Sequence, residues 1–500
     1  MSIYKKLLVS LLIVVMSLVS IGCVGSSASA KNISVTINTT DQIASNMSQT
    51  FNLTWADAFF NKDSSIFQSK LAYASMAFSA AAYSEGEAFN VNSALKEAGF
   101  SGISSGNSYY ADSKTGVGYT MGRKYMNNDS DVILAVILRG TSNSEWYGNF
   151  DVSKDITHSG NELVHYNFKE AETAVYNVLK KYCSENGFTP DHTKIWITGH
   201  SRGGAVANLL AAEVNESDLA KKENVFAYTF ATPNVVKNPY KYENIFNIVN
   251  DGDFFSVVPL NSWGFQRYGI DVSIQELFNK AGMNDSDIDD CVTYFFEQLT
   301  DAVYDDYQYD ITGIQDIIDY VTTTVKDIPN YYSLKKRFAS EYVTMHQYFY
   351  TIVDALVGDD IKKNAAVRKL GKSVLGSDEY SQLSVMLFNM TMSKNIYFAH
   401  MPENYLAWTK IMSETDMEIN GKFAPIIIKI SGKETVRVGK KTTYDVITLG
   451  SDSRVKWSVS DKKKASISKK GVLKGKKKGT VKLTAQSGNL KKTFTVKIKK

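Results

Sequence analysis

The junction around residue 200 constrains the fold more than any other part of the chain. Lys194-Ile195-Trp196-Ile197-Thr198 has the content of a buried strand, Gly199-His200-Ser201-Arg202-Gly203-Gly204 follows, and the alanine- and leucine-rich run 205–213 is a strong helix former. Strand, sharp turn and helix in succession place Ser201 at the apex of the turn. Such a turn holds its serine in a strained conformation, and a side chain at Gly199 or Gly203 would strike the neighbouring strand or helix. The G-x-S-x-G spacing alone carries little weight: glycine and serine at ~7% each give about 0.2 chance matches in a chain this long. Ser201 would then be an ordinary helix N-cap. The strand before it and the helix after it favour a nucleophile.

A serine hydroxyl is a weak nucleophile until a histidine takes its proton, and a carboxylate must hold that histidine in the correct tautomer. The acyl-transfer intermediate also needs donors aimed at its oxyanion. One is the backbone N–H after the serine, that of Arg202; the other is expected after an earlier buried strand. The run 132–138 is such a strand, and it leads through Arg139-Gly140 to Thr141, which offers an N–H and a hydroxyl. With an elbow of this kind the chain order is serine, acid, base. After the strand-like Asn247-Ile248-Val249 the acids are Asp251 and Asp253, and Asp251-Gly252 reads as a turn. Downstream only His346 and His400 remain, and Met345-His346-Gln347-Tyr348-Phe349 reads as an amphipathic helix. His158 and His192 read as loop residues.

Several phrases make the chain similar to a class 3 lipase of the fungal-lipase-like α/β-hydrolase family. They are V-I-L-R-G-T at 136–141, N-F-D-V at 149–152, V-H-Y-N-F at 164–168, I-T-G-H-S-R-G-G-A-V-A at 197–207, Y-T-F-A-T-P-N-V at 228–235 and I-V-N-D-G-D-F-F-S-V-V-P at 248–259. The similarity runs over about residues 65–270 and returns near 400, where H-x-x-x-x-Y begins at His400. It implies an α/β-hydrolase core and hydrolysis of lipid esters without a cofactor. The catalytic set it implies is Ser201, Asp253 and His400, the N-x-x-D phrase aligning the acid with Asp253. Thr141 and Arg202 would form the oxyanion hole, Gly199, His200 and Gly203 the elbow, and His165 would support the site. Arg202 stands where the family commonly has leucine and Asn167 where it commonly has glycine. The Arg202 amide still donates, while its side chain bears on the acyl pocket.

Charge divides the chain. Residues 421–500 hold 23 Lys or Arg against 4 Asp or Glu, a net of +19, whereas residues 1–420 net −15. Pro425 reads as a linker between modules. In the tail, 426–430, 435–438, 455–459, 480–484 and 493–498 are short strand candidates separated by glycine turns. V-x-V-G-K, V-K-W-S-V-S-D, K-G-V-L-K-G and K-G-T-V-K-L-T-A resemble the bacterial Ig-like domain of group 2, which implies a small β-sandwich with Trp457 as its core tryptophan. The lysine runs 462–464 and 476–478 lack the interleaved aromatics of a nucleic-acid surface. An anionic cell-envelope polymer is the expected partner, and a merely soluble lysine-rich module the alternative.

With 500 residues, 44% of them hydrophobic, the chain has room for two or three domains. Lys5-Lys6, the apolar run 7–19 and Ala28-Ser29-Ala30 read as an export signal, with a competing lipidation signal at Ile21-Gly22-Cys23. The protein is therefore expected to be secreted or attached to the bacterial surface, with no transmembrane helix after processing. The divisions are 1–30, 31–420 and 425–500, with a helical insertion at about 265–395. Helices are expected at 273–281, 287–304, 312–325, 333–356 and 360–375, serving as a cap or as a lid over the site. Cys183 and Cys291 give no disulfide framework and no metal spacing. Asp285, Asp287, Asp289 and Asp290 suggest calcium, but the sixth position lacks glycine, so they read as an acidic helix start. The alternatives to a lipid-ester hydrolase are an esterase of small or polysaccharide-borne esters and a non-catalytic surface-binding protein.

Overall fold

The computed structural model describes residues 30–39, 48–84, 88–106, 116–126, 129–141, 155–158, 162–257, 259, 261, 264–283, 285–300, 399–422, 426–449, 455–487 and 490–500. The export signal, His346 and the helices expected at 312–325, 333–356 and 360–375 lie outside these residues.

The chain opens with an antiparallel hairpin, β1 (Lys31–Asn38) and β2 (Ser48–Trp55), and helices α1 (Ser69–Ala81) and α2 (Phe89–Ala98). Then follow β3 (Ser101–Ser105), β4 (Tyr119–Met126), β5 (Asp131–Leu138), β6 (Asp155–His158), β7 (Glu162–His165), α3 (Tyr166–Glu185), β8 (Thr193–His200), α4 (Arg202–Asn215) and β9 (Val225–Phe230). After β10 (Val236–Lys237) come β11 (Ile245–Val249), β12 (Phe265–Gln266), β13 (Ile270–Ser273), α5 (Ile274–Lys280), α6 (Asp285–Thr300) and α7 (Pro402–Thr415).

The main sheet has seven strands in the order β13-β11-β9-β8-β5-β4-β3. The five from β13 to β5 are mutually parallel, while β4 and β3 are antiparallel additions at one edge. Both faces are covered, as the near-continuous apolar runs of a parallel sheet require. Along β5, Ile133, Ala135 and Ile137 enter one core with α1, α2 and α7, while Val132, Leu134, Val136 and Leu138 enter the other with α3 and α4. Trp196 anchors the first core. It is fully buried among Trp55, Phe78 and Phe60 at ring distances of 5.2, 5.1 and 6.0 Å, and its indole N–H donates to Ser75 Oγ at 2.9 Å. The C-terminal ends of β5, β8 and β11 lead to Thr141, Ser201 and Asp253, the edge at which open α/β sheets build sites.

His158, expected in a loop, lies instead on β6, paired with Glu162 of β7. The acidic run beginning at Asp285 forms the opening turns of α6. Cys183 and Cys291 are both buried and free, and burial pushes the Cys183 thiol up to about 12. Among the described residues no three His, Cys, Asp or Glu side chains group as a metal site, and no helix is long and apolar enough to cross a membrane.

The tail forms β14 (Ile426–Ser431), β15 (Thr435–Arg437), β16 (Lys441–Thr443), β17 (Asp445–Leu449), β18 (Lys456–Val459), β19 (Ala465–Ile467), β20 (Val472–Gly475), β21 (Gly479–Ser487) and β22 (Leu490–Lys499). They make the sheets β14-β17, β15-β22-β21-β18 and β16-β20-β19 around one small core. Four of these strands, β16, β17, β19 and β20, were not expected; each is only three to five residues long, too short for alternation to stand out from the turns around it. Trp457, expected at the centre of this core, is only half-buried at its side. Its fully buried aromatic is Tyr444, whose hydroxyl donates to the Lys433 carbonyl at 2.6 Å.

Trp196→Ala should lower unfolding free energy by roughly 3–5 kcal/mol, because the cavity lies where rigid rings cannot collapse. Chemical denaturation would check this, and a loss below about 1 kcal/mol would show that the ring cluster relaxes.

Candidate active site

Ser201 stands between β8 and α4 with φ 57° and ψ −125°, a left-handed strained conformation for a residue with a side chain. Its N–H donates to the Phe230 carbonyl at 2.9 Å, and its own carbonyl accepts the Ala205 N–H at 3.0 Å, which fixes the turn from both sides. The flanking glycines are required by close approach. A Cβ on Gly199 would lie 2.3 Å from the Gly203 carbonyl oxygen, and one on Gly203 would lie 2.4 Å from that of Leu138.

Three side chains from separate elements meet here. His400 Nε2 lies 2.8 Å from Ser201 Oγ, and His400 Nδ1 lies 2.9 Å from both Asp253 oxygens. An ionised carboxylate only accepts, so Nδ1 carries the proton and Nε2 is left to accept from the serine hydroxyl. Asp253 is fully buried, whereas Ser201 and His400 keep 7% and 8% exposure. The carboxylate also receives the Tyr405 hydroxyl at 2.9 Å and the Phe255 N–H at 3.0 Å, which replaces the water it has lost. Asp251 is turned away, accepting from Ser273 Oγ at 2.6 Å.

Behind this set lies a second layer. Tyr405 Oη accepts the Asn250 N–H at 2.9 Å, and Asn250 Nδ2 donates to the Ala399 carbonyl at 3.2 Å. His200 Nε2 lies 2.8 Å from the His400 carbonyl oxygen, which can only accept. His200 Nδ1 therefore accepts from the Tyr83 hydroxyl, also at 2.8 Å. Burial first, then the neighbouring His400, holds His200 well below the usual imidazole range, so it is neutral. Tyr405 and Asn250 lie inside phrases already noted, while nothing in the sequence marked Tyr83.

Thr141, half-buried, follows Gly140, where a Cβ would lie 2.9 Å from the His200 carbonyl and strike the Tyr83 ring. The exit of β5 therefore abuts the elbow. Arg202 is the first residue of α4, where backbone N–H groups point out of the helix. Its side chain is fully buried away from water, with Nε donating to the Gly116 carbonyl at 3.0 Å and the guanidinium 5.4 Å from the Phe168 ring centre. It is thus packed among the 116 segment and the start of α3. His165 sits one layer back, stacked on the same Phe168 at 4.2 Å. His192, exposed, faces Asp131 at 3.0 Å, remote from this set in its contacts.

Residues 135–263 match the model of the lipase (class 3) family, and residues 423–497 match that of the bacterial Ig-like domain (group 2). Residues 135–263 are a class 3 lipase region. Similar solved structures include the triacylglyceride lipase of Rhizomucor miehei, at 21% identity over 32% of this chain and 62% of that one, with a TM-score of 0.25. This chain thus spans less than two thirds of that lipase. A lipase from Rhizopus microsporus var. chinensis matches at 18% identity over 48% of this chain and 83% of its own, TM-score 0.31. Lipase II from Rhizopus niveus matches at 18% over 32% and 63%, TM-score 0.24. No curated protein matches. The class 3 lipase region contains Thr141, Ser201 and Asp253, whereas His400 and Tyr405 lie beyond it on the segment that returns to the site.

A neutral buried His200 makes the fold of this lipase region acid-sensitive. The unfolded chain takes up its proton near pH 6.5 and the folded chain well below, so stability falls as pH drops beneath about 6.5, by up to about 1.4 kcal/mol per unit. Asn at this position retains a donor. His200→Asn should flatten that part of the stability profile between pH 6.5 and 5, and an unchanged slope in denaturant titrations would contradict the assignment.

Proposed function

We propose that this chain is a serine carboxylic ester hydrolase that acts outside the bacterial cell on lipid esters, of the triacylglycerol lipase or phospholipase kind. The observation that carries the reading is the hydrogen-bonded series Ser201, His400, Asp253, with Ser201 Oγ and His400 Nε2 2.8 Å apart and a fully buried carboxylate behind the ring. The family match over the elbow, the acid and the β5 exit supports lipid esters as the substrate class.

In this mechanism Ser201 Oγ attacks the ester carbonyl while His400 Nε2 takes its proton, and Asp253 stabilises the resulting imidazolium. The oxyanion is held by the Arg202 N–H and by Thr141. His400 then passes the proton to the departing alcohol, leaving an acyl group on Ser201. Water, deprotonated by the same nitrogen, attacks the acyl carbonyl and releases the acid, restoring the serine hydroxyl. No step calls for a cofactor.

For location, the Ig-like tail and the export signal together support a secreted or surface-attached protein, and lipidation of Cys23 would provide an anchor. The charge split supports a division of labour, in which residues 421–500 hold the chain to an anionic envelope polymer while the −15 remainder does the chemistry.

The full chain should react with a fluorophosphonate probe, and Ser201→Ala should not, with kcat/KM on p-nitrophenyl esters falling by roughly 10⁴-fold or more. Each added methylene of the acyl group should raise kcat/KM by up to about fourfold, since burying a methylene contributes about 0.8 kcal/mol. Labelling of the alanine variant would remove Ser201 from its role. Turnover of acetate alone would turn the reading toward a small-ester esterase.

A further inference from the structure

The outer face of the sheet β15-β22-β21-β18 is densely cationic. Its register puts Arg437, Lys456, Lys482, Lys491, Lys497 and Lys499 on one side, all exposed, while Val436, Val481, Leu483, Val496 and Ile498 between them are buried. Alternation along each strand therefore turns the cations outward together. The remaining outward positions of these strands are threonine, serine and one glutamine, with no aspartate or glutamate. Among the described residues none of the six cations is in an ion pair. Asp461, just after β18, is taken by Lys464 at 3.2 Å.

Ordinary explanations account poorly for this face. Lysines on edge strands discourage sheet-to-sheet aggregation, but Lys482, Lys491 and Lys497 lie on β21 and β22, the two inner strands. A surface tuned only for solubility intersperses both signs of charge. Lys499 pairs directly across from Arg437, and like charges in that relation work against the fold.

The face also narrows what it can meet. Trp457 and Phe494 lean on the core from within, so no aromatic ring is presented for stacking nucleic-acid bases. No apolar side chain on it could enter a bilayer. Rows of hydroxyls instead lie among the cations, Ser458, Thr484 and Thr493 side by side and Thr495 across from Lys482, offering hydrogen bonds to phosphate oxygens. Strands about 4.8 Å apart and outward residues about 6.8 Å apart give a flat grid of charge, suited to a chain of repeated anions rather than to a single one.

We propose that the outer face of β15-β22-β21-β18 docks a linear phosphodiester polymer with a polyol backbone, and that this is the surface through which the module holds the enzyme at the envelope. The assignment rests on the envelope reading above and gives it a location.

The test uses the full chain and immobilised poly(glycerol phosphate), with phosphatidylglycerol vesicles and single-stranded DNA as rival ligands. The unmodified chain should bind the polymer at low salt, prefer it to both rivals, and release it as salt rises. The triple variant Lys482→Gln, Lys491→Gln, Lys497→Gln should bind more than about tenfold more weakly. The equally charged control Lys476→Gln, Lys477→Gln, Lys478→Gln, in the turn before β21, should stay within about threefold of the unmodified chain. Both should keep their melting temperature and their hydrolysis of a soluble short-chain ester. If both triples bind alike, the face is wrong and the envelope reading stands. If the unmodified chain fails to bind at low salt, both fall, and the ester hydrolysis reading is untouched. Tighter binding to vesicles or DNA would overturn the choice of partner.

Discussion

A carboxylate sealed from water holds this site together. Asp253 has no exposed surface, so its charge must be met by donors arriving from several parts of the chain. His400 and Tyr405 supply them from the C-terminal segment and Phe255 from the turn after β11. Because the charge is costly to strand, these donors are held to one arrangement, and that arrangement aims His400 Nε2 at Ser201. Tyr405 belongs to both ends of the link: its oxygen donates to Asp253 and accepts the Asn250 N–H, tying α7 to the acid loop. The imidazole is also secured through its backbone, since His200 hydrogen-bonds to the His400 carbonyl.

The sheet makes this meeting place available. Parallel strands covered on both faces align the ends of β5, β8 and β11, so Thr141, Ser201 and Asp253 emerge side by side. Strain at Ser201 is held by the glycine contacts at 199 and 203 and by the hydrogen bond to Phe230, all made by backbone that cannot easily yield. The ring cluster around Trp196 stiffens the strand that delivers the serine.

Much of this was legible in the sequence, for identifiable reasons. The elbow is a local object, and strand, glycine turn and helix follow each other within twenty residues. The choice of Asp253 over Asp251 came from the N-x-x-D phrase of the family resemblance, while His400 was reachable because the fold fixes chain order and few histidines lie downstream. Tyr83 was not, since its role is contact with His200 across 117 positions, and no local pattern encodes such a contact. The Arg202 guanidinium is packed on Phe168 and bonded to Gly116, partners that residue type alone does not set. In the tail, alternation revealed the longest strands and two short ones, β15 and β18, and missed four others of three to five residues. The resemblance misled at Trp457, because the fully buried aromatic of this core is Tyr444. The cationic face needed strand register, which tells which lysines point the same way.

The central claim is that Ser201 carries the acyl group during turnover. Mixing the enzyme with excess p-nitrophenyl ester, quenching in acid within milliseconds and mapping the digest by mass spectrometry tests it directly. The account predicts a burst of p-nitrophenol close to one per enzyme where deacylation is the slower step, and the acyl mass on the peptide containing Ser201. Turnover with the acyl mass on a different residue, or with no covalent species at any quench time, would contradict it.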